Sequence, residues 1–152
     1  MNEIITFLRE KDCRVTTQRK AILESLAKCG QFFSAQQVFD KVKRAHPDMS
    51  FDTIYRNLNL FSAFGILQQI HLPKGDGSVF EITASPHPHL VCLSCGKIRC
   101  VDNELVDLTV LNEAVGSGFI ICRYSLEFYG YCSACRPARR AAGGGKEADV
   151  CI

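Results

Sequence analysis

The chain has 152 residues, 47% hydrophobic and 22% charged, a balance that suits one or two folded domains and excludes a fibrous or largely disordered protein. Its formal net charge of +2 is too small to indicate a nucleic-acid partner by itself. The N-terminal stretch carries charges throughout, and no apolar run approaches the ~18 residues of a membrane span. We therefore expect a cytoplasmic protein without a membrane partner, whose nine cysteines are mostly reduced.

The first 65 residues predict helices, because apolar residues recur in them at helical spacing. A first helix begins with Ile4, Ile5, Phe7 and Leu8. A second helix is capped by Thr16 or Thr17, and Gly30 is expected to close it.

Two further helices are indicated by their caps. Ser34 and Gln37 match a capping box for a third helix, and Pro47 follows its end. Ser50 caps a fourth helix, which Gly65 ends. The core-facing residues of this fourth helix are Ile54, Leu58 and Phe61.

Two β-rich runs flank residues 73–77, which favour a hairpin turn. Helices followed by a hairpin are typical of a winged helix-turn-helix domain, in which the last helix enters the major groove of DNA. The alternative is a small helical bundle that binds no nucleic acid. The polar face of the fourth helix favours DNA, because it offers donors for base edges and phosphates. The candidate DNA contacts are Arg19, Thr53, Tyr55, Arg56 and Asn57.

Four cysteines form two CxxC pairs, Cys92 with Cys95 and Cys132 with Cys135. Two residues between thiolates allow a tight turn to direct both sulfurs at one ion, and four sulfurs suit tetrahedral zinc. The spacer between the pairs exceeds the ~15–20 residues of a compact zinc ribbon, so we expect two knuckles on separate strands. The alternatives are two disulfides, which suit secreted chains, or a thioredoxin-like redox pair, which is normally a single CxxC.

The second half of the chain mixes strands with one helix. Strand-like runs occur between residues 79 and 101, and a further strand is predicted over 118–131. A helix from about Asn103 to Val115 carries an apolar stripe that is expected to pack on the sheet. The stripe consists of Leu105, Leu108, Leu111 and Val115. Because such a sheet exposes its edges, pairing across a two-fold axis predicts a homodimer.

The order and spacing of six segments resemble the ferric uptake regulator family of metal-responsive transcriptional repressors. The segments are RVTTQRKAILESL, SAQQVFDKVK, SFDTIYRNLNLFSAFGIL, SVFEI, HPHLVCLSCGKI and SLEFYGYCSAC. The resemblance covers residues 1 to about 136. It implies an α+β fold and a homodimeric repressor that binds a double-stranded DNA operator through Tyr55 and Arg56. No acid–base pair, nucleophile or phosphate-binding loop indicates an enzyme or a small-molecule substrate.

The resemblance also implies how the chain is divided. Residues 1–82 are expected to form a winged-helix DNA-binding domain, followed by a hinge over 83–89. Residues 90–136 are expected to form a small α/β dimerisation domain around the four-cysteine structural zinc. The tail over 137–152 is rich in glycine, alanine and charge, which predicts disorder, so Cys151 is interpreted as a free thiol. No role is predicted for Cys13, Cys29 or Cys122.

A second metal site is expected at Glu81, His87, His89 and Cys100. His87 and His89 are two residues apart and face the same way in an extended chain, just before a CxxC. By resemblance, Glu81, His87 and His89 match the regulatory-site motif of the family. Cys100 stands where peroxide-sensing members have an aspartate.

The chain also departs from the family pattern. Phe32 stands where iron- and peroxide-sensing members have a histidine ligand, and His71 on the hairpin is a spare candidate. An additional metal site of the family is not expected here. Its positions are Pro86, Pro88 and Tyr124, with only Asp107 remaining.

The ligand types favour zinc at the regulatory site. Two imidazoles, one carboxylate and one thiolate suit four-coordinate zinc, whereas Fe²⁺ or Mn²⁺ favours more oxygen and nitrogen ligands. A zinc-sensing repressor is therefore our first hypothesis. The alternatives are an iron- or manganese-loaded peroxide-sensing repressor, a thiol-redox protein, and a zinc-stabilised protein-interaction module.

Overall fold

The structure is a computed structural model that describes residues 2–73, 77–83, 85–102, 107–116, 118–121 and 124–136. Parts of the predictions above lie outside these ranges: the centre of the predicted hairpin turn at 74–76, Asn103 and Leu105 of the predicted helix, Cys122, and the tail over 137–152 with Cys151. Within the described ranges, no helix combines the length and apolarity needed to cross a membrane.

Four helices occupy the first half of the chain: α1 Asn2–Glu10, α2 Thr17–Leu26, α3 Ala35–Lys43 and α4 Phe51–Ala63. Their predicted caps are confirmed. The Thr16 hydroxyl accepts from the Arg19 amide, Ser34 and Gln37 form the capping box, and the Ser50 hydroxyl accepts from the Thr53 amide.

The predicted closure of α2 at Gly30 is wrong, because the helix already ends at Leu26. The amides of Lys28 and Cys29 bond to the carbonyls of Ser25 and Leu26, three residues earlier. Such tighter bonds satisfy the last carbonyls without a glycine cap. Gly65 does follow α4, with φ +73°.

Among the described residues, most of the buried core lies in this first half. Ile54, Leu58 and Phe61 of α4 are fully buried, as predicted. They pack with buried residues of the other helices and of the first sheet, including Leu8, Ile22, Val38 and Phe80. Burial of this kind, at roughly 25 cal/mol per Å² of apolar surface, fixes the position of α4 against its neighbours.

The first sheet has the strand order β1-β3-β2, with all pairs antiparallel. Its strands are β1 Phe32–Ser34, β2 Leu67–His71 and β3 Ser78–Ile82. β2 and β3 form the predicted hairpin, whereas β1 was not predicted. Phe33 of β1 lies opposite Phe80 of β3, and both rings are buried. This pairing joins the chain between α2 and α3 to the hairpin.

The second sheet contains β4 His89–Cys92, β5 Ile98–Cys100 and β6 Glu127–Gly130, in the order β5-β4-β6. β4 pairs with β5 antiparallel and with β6 parallel. The two pairings set Cys100 opposite His89 and Gly130 opposite Cys92.

Two predictions for the second half are wrong. The predicted helix from about Asn103 is interrupted at Asp107, whose backbone is extended and whose carboxylate accepts from the amides of Thr109 and Val110, so the described helix α5 covers Leu108–Val115. Leu111 and Val115, the two stripe residues whose side chains the structure describes, stay 41% and 47% exposed, so this part of the stripe is not buried on the sheet.

The strand predicted over 118–131 is much shorter in the structure. Of its described residues, only Glu127–Gly130 form a strand. Phe119 and Ile120 are 65% and 80% exposed, and the Ile121 amide donates to the Asn112 side chain instead of to a neighbouring strand. A β-rich composition alone does not make a strand where no partner strand accepts its hydrogen bonds.

Candidate functional site

The four cysteines of the two CxxC pairs lie together at one end of the second sheet. β4 ends at Cys92 and β6 ends at Gly130, and because these strands are parallel, the turns that follow both emerge on the same side. The four sulfur atoms all lie within 4.8 Å of one another. The Sγ atoms of Cys95 and Cys132 are 3.8 Å apart, as expected of two ligands on a tetrahedron about 2.3 Å from one zinc ion.

Each CxxC forms a tight turn. The Gly96 amide bonds to the Cys92 carbonyl at 2.9 Å, and Gly96 has a φ of +70° that favours glycine. In the second turn, the Cys135 amide bonds to the Cys132 carbonyl at 3.0 Å. All four cysteines are free thiols, so neither CxxC pair forms a disulfide.

The four cysteines do not ionise equally in the metal-free cluster. The pKa of Cys92 is lowered to about 6, chiefly because the Cys132 amide donates to its sulfur at 3.4 Å. The pKa of Cys135 is raised to about 11: a hydrogen bond with Ser94 lowers it, but the interactions with the Cys95 and Cys132 thiols outweigh that bond. Four clustered thiols of this kind ionise together only when a cation compensates their charge.

A second group forms between the two sheets. Glu81 lies on β3, His87 lies in the connection to the second sheet, His89 begins β4, and Cys100 ends β5. One possible ligand atom from each of the four residues lies within 4.8 Å of the others. The structure therefore brings together all four side chains that the sequence indicated, from both halves of the chain.

Both imidazoles point at the same carboxylate oxygen. His89 Nε2 is 3.0 Å and His87 Nε2 is 3.1 Å from Glu81 Oε2. The His89 contact is a hydrogen bond, but the His87 contact lacks hydrogen-bonding geometry, and the buried His87 Nε2 has no hydrogen-bond partner among the described residues. A buried nitrogen left without a hydrogen bond is costly, and a metal ion is one group that satisfies it.

The Cys100 thiol completes the group. Its sulfur lies 3.6 Å from Glu81 Oε1. Burial raises the pKa of this thiol, and the neighbouring Glu81 charge raises it further. A divalent ion would offset both effects, since a metal-bound cysteine is a thiolate. The donor set thus fits a divalent ion in chemistry as well as in position.

Two glutamines that the sequence did not single out hold this group. Gln31 Nε2 donates to Glu81 Oε1 at 2.9 Å and to Cys100 Sγ at 3.1 Å. Gln68 is buried and bonds to both the carbonyl and the amide of His87, at 2.8 and 3.2 Å. Neither residue belongs to a ligand motif, and only the sheet register reveals them.

The positions that depart from the family pattern have other contacts. The Phe32 ring meets the His89 ring edge-on at 5.9 Å, so it shields the group without offering a ligand. His71 lies outside the group, and its Nδ1 is 3.3 Å from Glu127 Oε1. The Tyr124 hydroxyl donates to the Pro86 carbonyl, and Asp107 caps α5. The described residues around Pro86, Tyr124 and Asp107 form no further metal-ligand group.

The polar face of α4 offers two exposed side chains. Tyr55 is 41% exposed, with its ring stacked on that of Phe51. The Arg56 guanidinium is largely exposed and pairs with Asp52 one turn earlier, at 2.9 Å. An exposed pair of this type is worth at most about 1 kcal/mol, so Arg56 is readily available to another anion.

The other three candidate DNA contacts bind one another. Arg19 Nε donates to Asn57 Oδ1 at 3.1 Å and its guanidinium also bonds the Arg14 carbonyl. Asn57 Nδ2 donates to the Thr53 carbonyl at 2.7 Å, and the Thr53 hydroxyl lies 2.9 Å from that of Ser50. The bond between Arg19 and Asn57 joins α2 to α4, and the other bonds hold these side chains in place.

Comparison with known proteins decides the family. A profile described as the Ferric uptake regulator family matches residues 10–129. The chain belongs to this family. The peroxide operon regulator of Bacillus subtilis strain 168 is 33% identical over 138 residues, which cover 89% of this chain and 92% of that protein.

Solved structures agree. The ferric uptake regulator of Vibrio cholerae is 33% identical, with a TM-score of 0.56 over 82% of this chain and 96% of that chain. The ferric uptake regulator of Pseudomonas aeruginosa, solved with manganese, is 25% identical, with a TM-score of 0.62 over 83% and 95%. The predicted family and the α+β fold class are thereby confirmed. Members of this family are metal-responsive, DNA-binding transcription regulators rather than enzymes.

Proposed function

We propose that this chain is a zinc-sensing transcriptional repressor, with a structural zinc at Cys92, Cys95, Cys132 and Cys135 and a regulatory zinc at a second site. That regulatory site consists of Glu81, His87, His89 and Cys100. The observation that carries the proposal is the convergence of two imidazole nitrogens on one Glu81 oxygen, with a thiol completing the set.

The donor set supports zinc as the regulatory metal. One carboxylate and one thiolate together carry two negative charges, which a divalent cation neutralises in this half-buried site. Two nitrogens, one oxygen and one sulfur make four donors of the types that tetrahedral zinc binds. Thiolate ligands select zinc over Mg²⁺ or Mn²⁺, which prefer oxygen. Phe32, which contacts His89, adds no fifth ligand.

The position of the site supports a switch. Glu81 belongs to the first sheet, together with the helices, whereas His89 and Cys100 belong to the second sheet. When ligands from both halves bind one ion, the ion fixes the orientation of the first half relative to the second. If that orientation is the one that binds DNA, zinc and DNA must increase each other's affinity by the same factor.

The domain organisation is part of the proposal. We infer a winged-helix domain over 1–82, a hinge over 83–89 and a dimerisation domain over 90–136. Exposed apolar side chains of the second half support a homodimer: Val110, Leu111, Val115, Phe119 and Ile120. A two-fold dimer would present two copies of α4 to successive major grooves.

A peroxide-sensing repressor is the second candidate, and it is favoured by a specific observation. The 33% identical relative from Bacillus subtilis is a peroxide operon regulator. Against this stands the Cys100 thiol among the four clustered side chains, because a thiolate favours zinc over iron or manganese.

Metal selectivity separates the two candidates. A DNA duplex selected from a random library with the zinc-loaded protein would serve as the operator, and its affinity would be measured with Zn²⁺, Mn²⁺ or Fe²⁺ at the second site. We expect Zn²⁺ to give tight binding at the lowest free concentration, and hydrogen peroxide to leave that binding unchanged. Tight binding with Fe²⁺ or Mn²⁺ alone, lost on brief peroxide treatment, would favour the peroxide sensor.

Arg56→Ala should weaken binding to this duplex by about 1–3 kcal/mol if Arg56 reads a base, or reduce the salt dependence if it contacts phosphate. Tyr55→Phe should have a smaller effect. Arg9→Ala, which removes an exposed arginine of α1, is the control for loss of one positive charge. Equal affinities of wild type, Arg9→Ala and Arg56→Ala across salt concentrations would exclude α4 as the reading helix.

A further inference from the structure

Gln31 makes an unusual pair of contacts at the regulatory site. It directly precedes β1, and the pairing of β1 with β3 sets Phe32 opposite Glu81. From there the Gln31 side-chain amide reaches Glu81 Oε1 at 2.9 Å and Cys100 Sγ at 3.1 Å. One amide group therefore contacts two of the four proposed ligands.

The two contacts join different halves of the chain. Gln31 and Glu81 belong to the part with the helices and the first sheet, and Cys100 belongs to the second sheet. The bond from Gln31 to Cys100 thus crosses between the halves at the point where the ligands meet. A change in the position of Cys100 on metal binding can therefore move Gln31, and with it the strand β1 that lies between α2 and α3.

We infer, on the basis of the proposed function, that Gln31 is a positioning residue of the regulatory site, which orients Glu81 and Cys100 and strengthens the coupling between metal and DNA. Its amide nitrogen is a hydrogen-bond donor and not a metal ligand. A ligating carboxylate and a ligating thiolate both carry negative charge, and a donor bonds more strongly to a charged acceptor than to a neutral one. Gln31 therefore favours the arrangement in which both ligands are charged and close together.

Partners that orient metal ligands from outside the coordination sphere commonly change metal affinity by about 10–100-fold when they are removed. Gln31 is itself exposed, so water competes for its bonds, and we expect an effect near the lower end of this range. Removing these bonds should weaken the coupling between zinc and DNA binding more than it lowers the stability of the fold, because Gln31 is outside the buried core.

Two substitutions test the inference. Gln31→Leu replaces the amide with an apolar side chain of similar size, and Gln31→Ala removes the side chain beyond Cβ, so both variants lose the two donated bonds. The matched control is Gln36→Leu, because Gln36 is an exposed glutamine of α3 that also donates to a carboxylate, that of Asp40. Zinc affinity would be measured by chelator competition on the full-length protein, with and without the selected duplex, together with zinc content and thermal unfolding.

We expect Gln31→Leu to lower the affinity for the regulatory zinc about 10-fold and to reduce the factor by which DNA strengthens zinc binding. Gln31→Ala should lower it to a similar extent. Gln36→Leu should bind zinc as wild type does, and all three variants should keep the structural zinc content and unfolding temperature of wild type. Wild-type zinc affinity and coupling in both Gln31 variants would overturn the inference.

The proposed function fails in a different way. If His89→Gln also leaves zinc and DNA binding unchanged, the regulatory site itself is misplaced. If His89→Gln abolishes the zinc response and both Gln31 variants retain it, only the role of Gln31 is wrong.

Discussion

Replacing Cys92 with serine should release one zinc ion per chain and unfold the second half of the protein while the first half stays folded. The reason is the unequal distribution of the core. Among the described residues, the main hydrophobic cluster contains residues from Leu8 to Phe80, and the only buried apolar residues that follow Phe80 in the described chain are Val91 and Cys92. A segment with so little core depends on a metal or a partner for its stability.

The expected effect is large. Structural zinc contributes about 10–16 kcal/mol of binding free energy in small zinc-stabilised peptides, and that free energy is folding free energy. Serine at position 92 removes a sulfur that lies 3.4 Å from the Cys132 amide and within the four-sulfur cluster. We therefore expect complete loss of the structural zinc and not merely a lower affinity.

Zinc analysis and native mass measurement of purified protein check this prediction. The control is Cys13→Ser, since Cys13 packs against the first-half core away from both metal-ligand groups. It should retain its zinc and its oligomeric state. Should Cys92→Ser retain a full complement of zinc and the wild-type mass, the four sulfurs do not share an ion.

Replacing His89 should abolish the response of DNA binding to the regulatory metal. His89 is fully buried, and its Nε2 lies 3.0 Å from Glu81 Oε2. Removing one of four ligands from a zinc site should lower its affinity by well over the about 10–100-fold that is typical for partners outside the coordination sphere. Operator affinity should then be the same at all zinc concentrations that fill the structural site.

The choice of substitution matters because His89 is also a packed residue that contacts Phe32. Glutamine approximates its volume and avoids a cavity, so His89→Gln is preferred to alanine. The control is His46→Gln, which changes an exposed histidine far from β4 in sequence. A zinc response of normal size in folded His89→Gln would exclude His89 as a ligand.

Local signals predicted the first half well. The caps at Ser34 and Ser50 depend on a side chain and an amide three residues away, so their residues are neighbours in sequence. The burial of Ile54, Leu58 and Phe61 follows from the helical period alone. The clustering of the two candidate ligand groups was predictable for a related reason, since cysteine, histidine and glutamate are the residue types that hold zinc.

Contacts between distant residues were not predictable in this way. The strand β1 forms because Phe33 pairs with Phe80, which lies far along the chain. With only three residues, β1 is too short to show the alternation of apolar and polar residues that predicts a strand. Because β1 was missed, Gln31 was missed with it. The apolar stripe of α5 was assigned to the sheet, yet Leu111 and Val115 stay exposed in the single chain. An apolar face indicates burial but does not identify the partner that covers it.

The most direct test of the regulatory site is the absorption spectrum of cobalt bound there, because cobalt bound to a thiolate gives a sulfur-to-metal charge-transfer band. Protein with zinc at the four-cysteine site would be titrated with Co²⁺ and compared with Cys100→Ser. We predict that wild type binds one further equivalent of Co²⁺ with a charge-transfer band, and that Cys100→Ser loses this band but keeps its structural zinc. An undiminished band in Cys100→Ser, or no binding of Co²⁺ by zinc-loaded wild type, would contradict a metal site at Glu81, His87, His89 and Cys100.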